Sequence, residues 1–158
     1  ICLRPATVCG LSERLRLDLT VNKLTYDAFY KNKIFVDGGD QIRPNIHIKD
    51  LIAAIDCLIF SKKKLSHNIF NVGFENLTIS EIANKIQNKT GAKIHVSKNR
   101  DLRSYRQDSS RLLKFGFRPK YNVSLAINDL IYFFKTKSKI NFTKKNFNLL
   151  RMKELNIK

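Results

Sequence analysis

Short apolar runs alternate along this chain with stretches in which apolar positions recur every three or four residues, the pattern of strands interleaved with amphipathic helices. Ile1 to Cys9 is apolar enough for a strand buried on both faces, closing at Gly10. Such a strand belongs to a parallel sheet whose other strands would lie before residue 1. Val21, Leu24, Ala28 and Phe29 predict a helix from about Leu19 to Tyr30, with Asp18 as N-cap. Lys33 to Asp37 reads as a brief strand, and Gly38-Gly39 turns the chain into a second, alternating one. Asp50 is placed to cap a helix over Leu51 to Phe60, whose nearly continuous apolar sequence predicts that it is sandwiched between other elements. Asn68 to Val72 is a strand closed by Gly73. Thr78 and Glu81 form a Thr-x-x-Glu capping box ahead of the stripe Ile82, Ala83 and Ile86, with Gly91 just past the helix end. Lys93 to Ser97 alternates like a strand. Asp108 or Ser109 can cap a short helix stopping at Gly116, and after the turn at Pro119 a helix covers about Ser124 to Phe134. Strands and helices in alternation argue for α/β units.

With 158 residues, 43% of them hydrophobic, the chain can build one core. The net charge of +17 attracts polyanions. The lysines are nevertheless spread among asparagines and isoleucines without an aromatic-interleaved RNA motif, so nucleic acid is the weaker reading. From Lys135 onward eight Lys/Arg face the single acid Glu154, a basic extension (135–158) that is solvated or packed, with an anionic partner open. Cys2, Cys9 and Cys57 make no CxxC pair and their number is odd, which points to reduced thiols in the cytoplasm. His47, His67 and His95 lack ligand spacing, so no metal is expected, and no run approaches the roughly eighteen apolar residues of a membrane span. The start on Ile1, within a strand-like run, suggests a fragment.

The candidate chemistry is anion binding. Arg43 follows the glycine turn at a strand mouth, where a guanidinium fork suits phosphate oxygens; pairing with a nearby acid is an equally open reading. Arg100, Arg103 and Arg106 form a second cluster in a loop, with Tyr105 between them read as a packing residue. No glycine-rich dinucleotide turn, Gly-x-Ser-x-Gly, Walker lysine loop or paired catalytic carboxylates occur.

Five segments carry a resemblance: Leu3-Arg4-Pro5-Ala6-Thr7-Val8-Cys9-Gly10; Gly38 to Asp50; Phe70-Asn71-Val72-Gly73; Asp101-x-Arg103-x-Tyr105-x-x-Asp108-Ser109-Ser110; and Phe115-Gly116-Phe117-x-Pro119. In order and spacing they resemble the C-terminal half of an extended short-chain dehydrogenase/reductase, specifically the NAD-dependent nucleotide-sugar epimerase/dehydratase family. The resemblance covers residues 1–134. It implies the last strands of a Rossmann-like NAD(P)-binding fold plus a small substrate-binding α/β domain, with the dinucleotide-binding N-terminal half absent. It also implies a nucleotide-diphosphate sugar as ligand, NAD(P) as the parent enzyme's cofactor, and a homodimer in the parent family whose dimer helices are not in this chain. Arg43 and Arg103 would hold the diphosphate, Asp18 and Leu19 would touch substrate at a helix start, and Ile34 and Val36 would flank the base. Thr7 would lie near both sugar and nicotinamide, with Pro5 and Ala6 on the same cofactor-side wall. The family's Tyr-x-x-x-Lys pair and glycine-rich NAD loop have no counterpart here, so no catalytic residue is expected and the chain alone would be inactive. Thr7 stands where the family often has asparagine, and Pro44 where an acid is frequent. The parent pathway would make surface polysaccharide or activated deoxysugars. The alternative from a different class is a non-catalytic basic module that binds anions or nucleic acid.

Overall fold

A computed structural model describes residues 1–64, 67–97, 103–137 and 142–157; Asn99 to Leu102 of the second arginine cluster lie outside these. In chain order the elements are β1 (Cys2–Pro5), β2 (Thr7–Cys9), α1 (Thr20–Lys31), β3 (Lys33–Asp37), β4 (Ile42–His47), α2 (Ile48–Ile59), β5 (Ile69–Val72), β6 (Glu75–Thr78), α3 (Ile79–Thr90), β7 (Lys93–Ser97), α4 (Ser110–Phe115), α5 (Val123–Thr136) and α6 (Asn148–Glu154), with a 3-10 turn at Lys144–Asn146.

The first apolar run is two strands instead of one. β1 pairs in parallel with β5, Cys2 opposite Ile69 and Pro5 opposite Val72, whereas β2 pairs in parallel with β4, Thr7 opposite Asn45. Pro5 has no N–H to donate to a ladder, and Ala6 makes the step from one sheet to the other while its own N–H still reaches the Val72 carbonyl at 2.9 Å. β4 also pairs antiparallel with β6. That strand escapes prediction because Glu-Asn-Leu-Thr holds one apolar residue. β3 and β7 form a separate parallel pair.

Three apolar clusters hold these pieces. Val21, Leu24, Ile34, Val36, Ile82, Ile86 and Ile127 join α1, α3 and α5 to the β3–β7 pair. Ile46, Ala54, Leu58, Phe70, Val72 and Leu112 fill the space among β1, β5, α2 and α4. Leu15, Leu17, Leu130 and Phe134 form a third, covered by Phe142 and Phe147 of the tail. The capping box of α3 is complete: Thr78 Oγ1 accepts from the Glu81 N–H at 3.0 Å and Glu81 Oε2 from the Thr78 N–H at 2.7 Å.

Two expected caps are corrected. α1 starts at Thr20 with Leu19 at the N-cap and no side-chain cap bond, because the Asp18 carboxylate is engaged elsewhere. α2 starts before Asp50. Its N-cap is His47, whose Nδ1 accepts the Lys49 N–H at 3.1 Å. Burial holds the His47 pKa below the usual imidazole value, against the nearby Asp129 carboxylate, so the ring is neutral as an accepting Nδ1 requires. Asp50, itself buried, turns away from its own helix: Oδ1 accepts the Lys120 N–H at 3.0 Å and Oδ2 the Tyr121 N–H at 2.9 Å. Beside it Glu75 Oε2 accepts the Val123 N–H at 2.5 Å. Two carboxylates therefore hold the approach to α5.

The cover expected around α2 is found on one side of it among the described residues. Ala54 and Leu58 are buried against β2 and β4, but Ile52, Ile59 and Phe60 are 53%, 63% and 78% exposed. Apolar sequence all round the helix predicts cover on all sides; here one side is covered.

Candidate functional site

The step between β1 and β2 is a wall shared by two cavities. Pro5, Ala6 and Thr7 line both. The first, about 430 Å³, is completed by Gly10, Arg14, Arg16, Leu19 and Leu51. The second, about 350 Å³, is completed by Pro44, Tyr105, Arg106 and Gln107. Gly10 (φ 106°) turns the chain out of β2, and its N–H is held by Asn22 Oδ1 at 3.0 Å. Gly73 lets the 105–109 segment close on the wall, since a Cβ there would collide with Ala6 and Gln107. Ser109 Oγ accepts the Gly73 N–H at 2.9 Å and donates to the Gly73 carbonyl at 2.7 Å, locking that approach.

Residues 14–18 follow a period-two alternation. Leu15 and Leu17 point into the third cluster at 3% and 0% exposure, which sends Arg14 and Arg16 to the first cavity. Arg16 binds Asp18 through two parallel bonds of 3.0 Å. Asp18 Oδ2 also accepts the Asn148 N–H at 3.0 Å. Partial burial works to raise the Asp18 pKa, but the hydrogen bonds from Arg16 and Asn148 win and hold it below the usual carboxylate range.

Of the residues singled out from the sequence, Pro5, Ala6, Thr7 and Leu19 line the first cavity together. Asp18 does not line it; its carboxylate is satisfied by Arg16 and the tail. Arg43 and Arg103 come together away from both linings. Arg43 Nη1 donates to the Ile42 carbonyl at 2.9 Å and to the Arg103 carbonyl, and its guanidinium sits 5.3 Å from the Tyr105 ring centre. Arg43 thus anchors the segment whose next residues form the second cavity. The expectation for Ile34 and Val36 is corrected: at 0% and 1% exposure both side chains point into the core, while Phe35 between them is open and stacks on His95 with centres 5.5 Å apart. Arg14, Arg16 and Tyr105 line cavities that the sequence pattern does not assign to them. For the two arginines the signal is the Leu-Arg-Leu alternation of Leu15 to Leu17, a run too short to stand out from a loop.

Among the described residues no group of three His, Cys, Asp or Glu could hold a metal ion, and no helix is long and apolar enough to cross a membrane. Cys9 is unsuited to nucleophilic work: burial pushes its thiol up to about 12, and its Sγ lies 3.4 Å from the Ile46 carbonyl oxygen.

This arrangement shares its fold with one part of solved NAD-dependent nucleotide-sugar epimerases and dehydratases, a partial Rossmann-like α/β fold. Among solved structures that share it, the UDP-N-acetylglucosamine 4-epimerase from Bacillus cereus is 25% identical, superposes with a TM-score of 0.71, and is matched over 89% of this chain and 48% of its own. The UDP-glucuronic acid 4-epimerase from Bacillus cereus, solved in complex with UDP-glucuronic acid and NAD, is 20% identical with a TM-score of 0.71, matched over 85% of this chain and 44% of its own. An NAD-dependent NDP-hexosamine 5,6-dehydratase involved in tunicamycin biosynthesis is 20% identical with a TM-score of 0.71, matched over 86% and 46%. The chain thus spans a little under half the length of the structures it matches. No protein-family profile matches it.

Proposed function

We propose that this chain supplies the nucleotide-sugar side of an NAD-dependent epimerase/dehydratase. The observation that carries the reading is the wall Pro5–Ala6–Thr7: three consecutive residues of the first family-like motif line a 430 Å³ cavity with Leu19, beside two arginines. The sugar lies against Thr7, and the diphosphate is met by the arginines around the wall, with Arg43 and Arg103 ordering the Tyr105–Gln107 side. A bound NAD(P) would supply reversible hydride transfer at a sugar carbon. Among the described residues Pro5, Ala6 and Thr7 would offer that cofactor one wall, and the part of this chain in the parent reaction is to bind and orient the sugar. The open side of α2, with Ile52, Ile59 and Phe60, is the surface on which a dinucleotide-binding half would pack. The three free thiols support a cytoplasmic setting.

Calorimetric titration with UDP, with UDP-N-acetylglucosamine and with a short DNA duplex over a salt series tests the reading. Saturable uptake of the UDP ligands that persists at high salt is expected. Uptake of duplex alone, falling steeply with salt, would replace the reading with a basic nucleic-acid module.

A further inference from the structure

The basic tail is more than a solvated extension. After α5 it returns to the turn that lines the first cavity, and one residue, Asn146, makes two of the hydrogen bonds that join them. Asn146 accepts the Leu17 N–H on its carbonyl at 2.8 Å, donates Nδ2 to the Leu15 carbonyl at 2.8 Å, and accepts the Thr143 N–H on Oδ1 at 2.9 Å. The neighbours of Asn146 fasten the other side of the same turn. Arg14 Nε donates to the Lys145 carbonyl at 3.1 Å and Arg14 Nη2 to Asn148 Oδ1 at 2.8 Å, while the Asn148 N–H goes to Asp18. Phe142 and Phe147 cover Leu15 and Leu17 from outside.

The two cavity arginines differ in charge balance. Arg16 is neutralised by Asp18. Arg14 is held by a backbone carbonyl and an amide oxygen, both uncharged, and no carboxylate pairs with it among the described residues. Two of its five donors are used, so the remaining fork and the full positive charge stay available at the cavity.

We propose that residues 142–148 are a positioning strap for the ligand site, with Asn146 its central residue, and that they hold Arg14 as the cation that meets a ligand diphosphate. This rests on the nucleotide-sugar reading of the cavity and adds to it a contact residue and the element that aims it. Asn146 touches no ligand; it acts through Leu15 and Leu17, whose backbone fixes the direction of Arg14. Rigid hold by packing and hydrogen bonds is what lets a long side chain contribute to binding without losing its rotamer freedom at that moment.

The test uses the full chain with Asn146→Ala, Arg14→Gln, the double variant, and Thr143→Ala, which removes the side-chain cap of the 3-10 turn and leaves the bonds of Asn146 to Leu15 and Leu17 in place. UDP affinity is measured by calorimetry and amide exchange is followed at residues 14–19 and in α3. Asn146→Ala should speed exchange at 14–19 with α3 unchanged, and should weaken UDP about tenfold, the loss of roughly one charge-assisted hydrogen bond. Arg14→Gln should weaken UDP to a similar degree with exchange unaltered. The double variant should be no worse than either single one, and Thr143→Ala should stay near wild type. Unchanged affinity in Asn146→Ala, or losses that add in the double variant, would overturn the strap. If the wild type takes up no UDP, the nucleotide-sugar reading falls. The strap's hold on the turn is then decided by exchange alone, and unchanged exchange at 14–19 in Asn146→Ala overturns it.

Discussion

Replacing Asp50 by asparagine separates two roles for that side chain. At an N-cap asparagine serves as well as aspartate, so the exchange would be silent. In the structure, however, both carboxylate oxygens of a side chain 1% exposed accept backbone N–H groups, from Lys120 at 3.0 Å and Tyr121 at 2.9 Å. Asparagine can accept one of these through Oδ1 but turns its own NH₂ toward the other, leaving donor against donor in a buried place. A hydrogen bond to a charged acceptor contributes about 1.5–3 kcal/mol, and the stranded N–H adds a desolvation penalty, so a loss of about 3 kcal/mol is expected. At roughly 2–4 °C per kcal/mol for a chain of this size, the Tm should fall by about 6–12 °C. Urea unfolding followed by circular dichroism reads the same loss as a lower midpoint at unchanged slope. A variant within about 0.5 kcal/mol of wild type, the range of ordinary surface changes, would refute the two-donor clamp.

Glu75→Gln should behave in the opposite sense. Burial is the leading cause that raises the Glu75 pKa above its ordinary 4.5, so the protonated form is favoured by folding. Its stabilising contribution is complete below pH 4.5 and is lost as pH rises through the folded value. Glutamine still accepts the Val123 N–H without the charge, so at pH 7 the variant should equal or exceed wild type in urea, with the gap narrowing on acidification; a variant less stable at pH 7 would contradict this. Thiol labelling at pH 8 should modify exposed Cys2 quickly and leave buried Cys9, its thiol pushed up to about 12, untouched until denaturant is added. Prompt labelling of Cys9 in the native protein, read by mass spectrometry, would show that β2 opens.

Much of the architecture is legible in the residues. The Thr78–Glu81 box, the Gly91 stop, β3, β7 and α5 follow from local rules that tertiary contacts reinforce. The failures share a cause. Asp18 and Asp50 each precede an apolar run, which is the signature of a cap, yet each meets a donor 70 or more residues away in sequence: Lys120 for Asp50, Asn148 for Asp18. Local spacing carries no information about such partners. Position in a motif assigns Ile34 and Val36 to the ligand, but strand alternation sends them to the core. Pro5, Ala6, Thr7 and Leu19 come out together because the backbone turn that gathers them is encoded by Pro5 and Gly10 themselves. The tail is opaque for the reverse reason: its charge leaves a solvated and a packed extension equally open, while Asn146, Phe142 and Phe147 do the anchoring.

The nucleotide-sugar reading is tested most directly by mapping amide exchange with and without UDP-N-acetylglucosamine. Protection is predicted at Ala6–Val8, at Arg14–Leu19 and at Tyr105–Gln107, the segments that meet around the two cavities. Protection confined to the lysines of residues 62–64 and the tail, or none at saturating ligand, would contradict it.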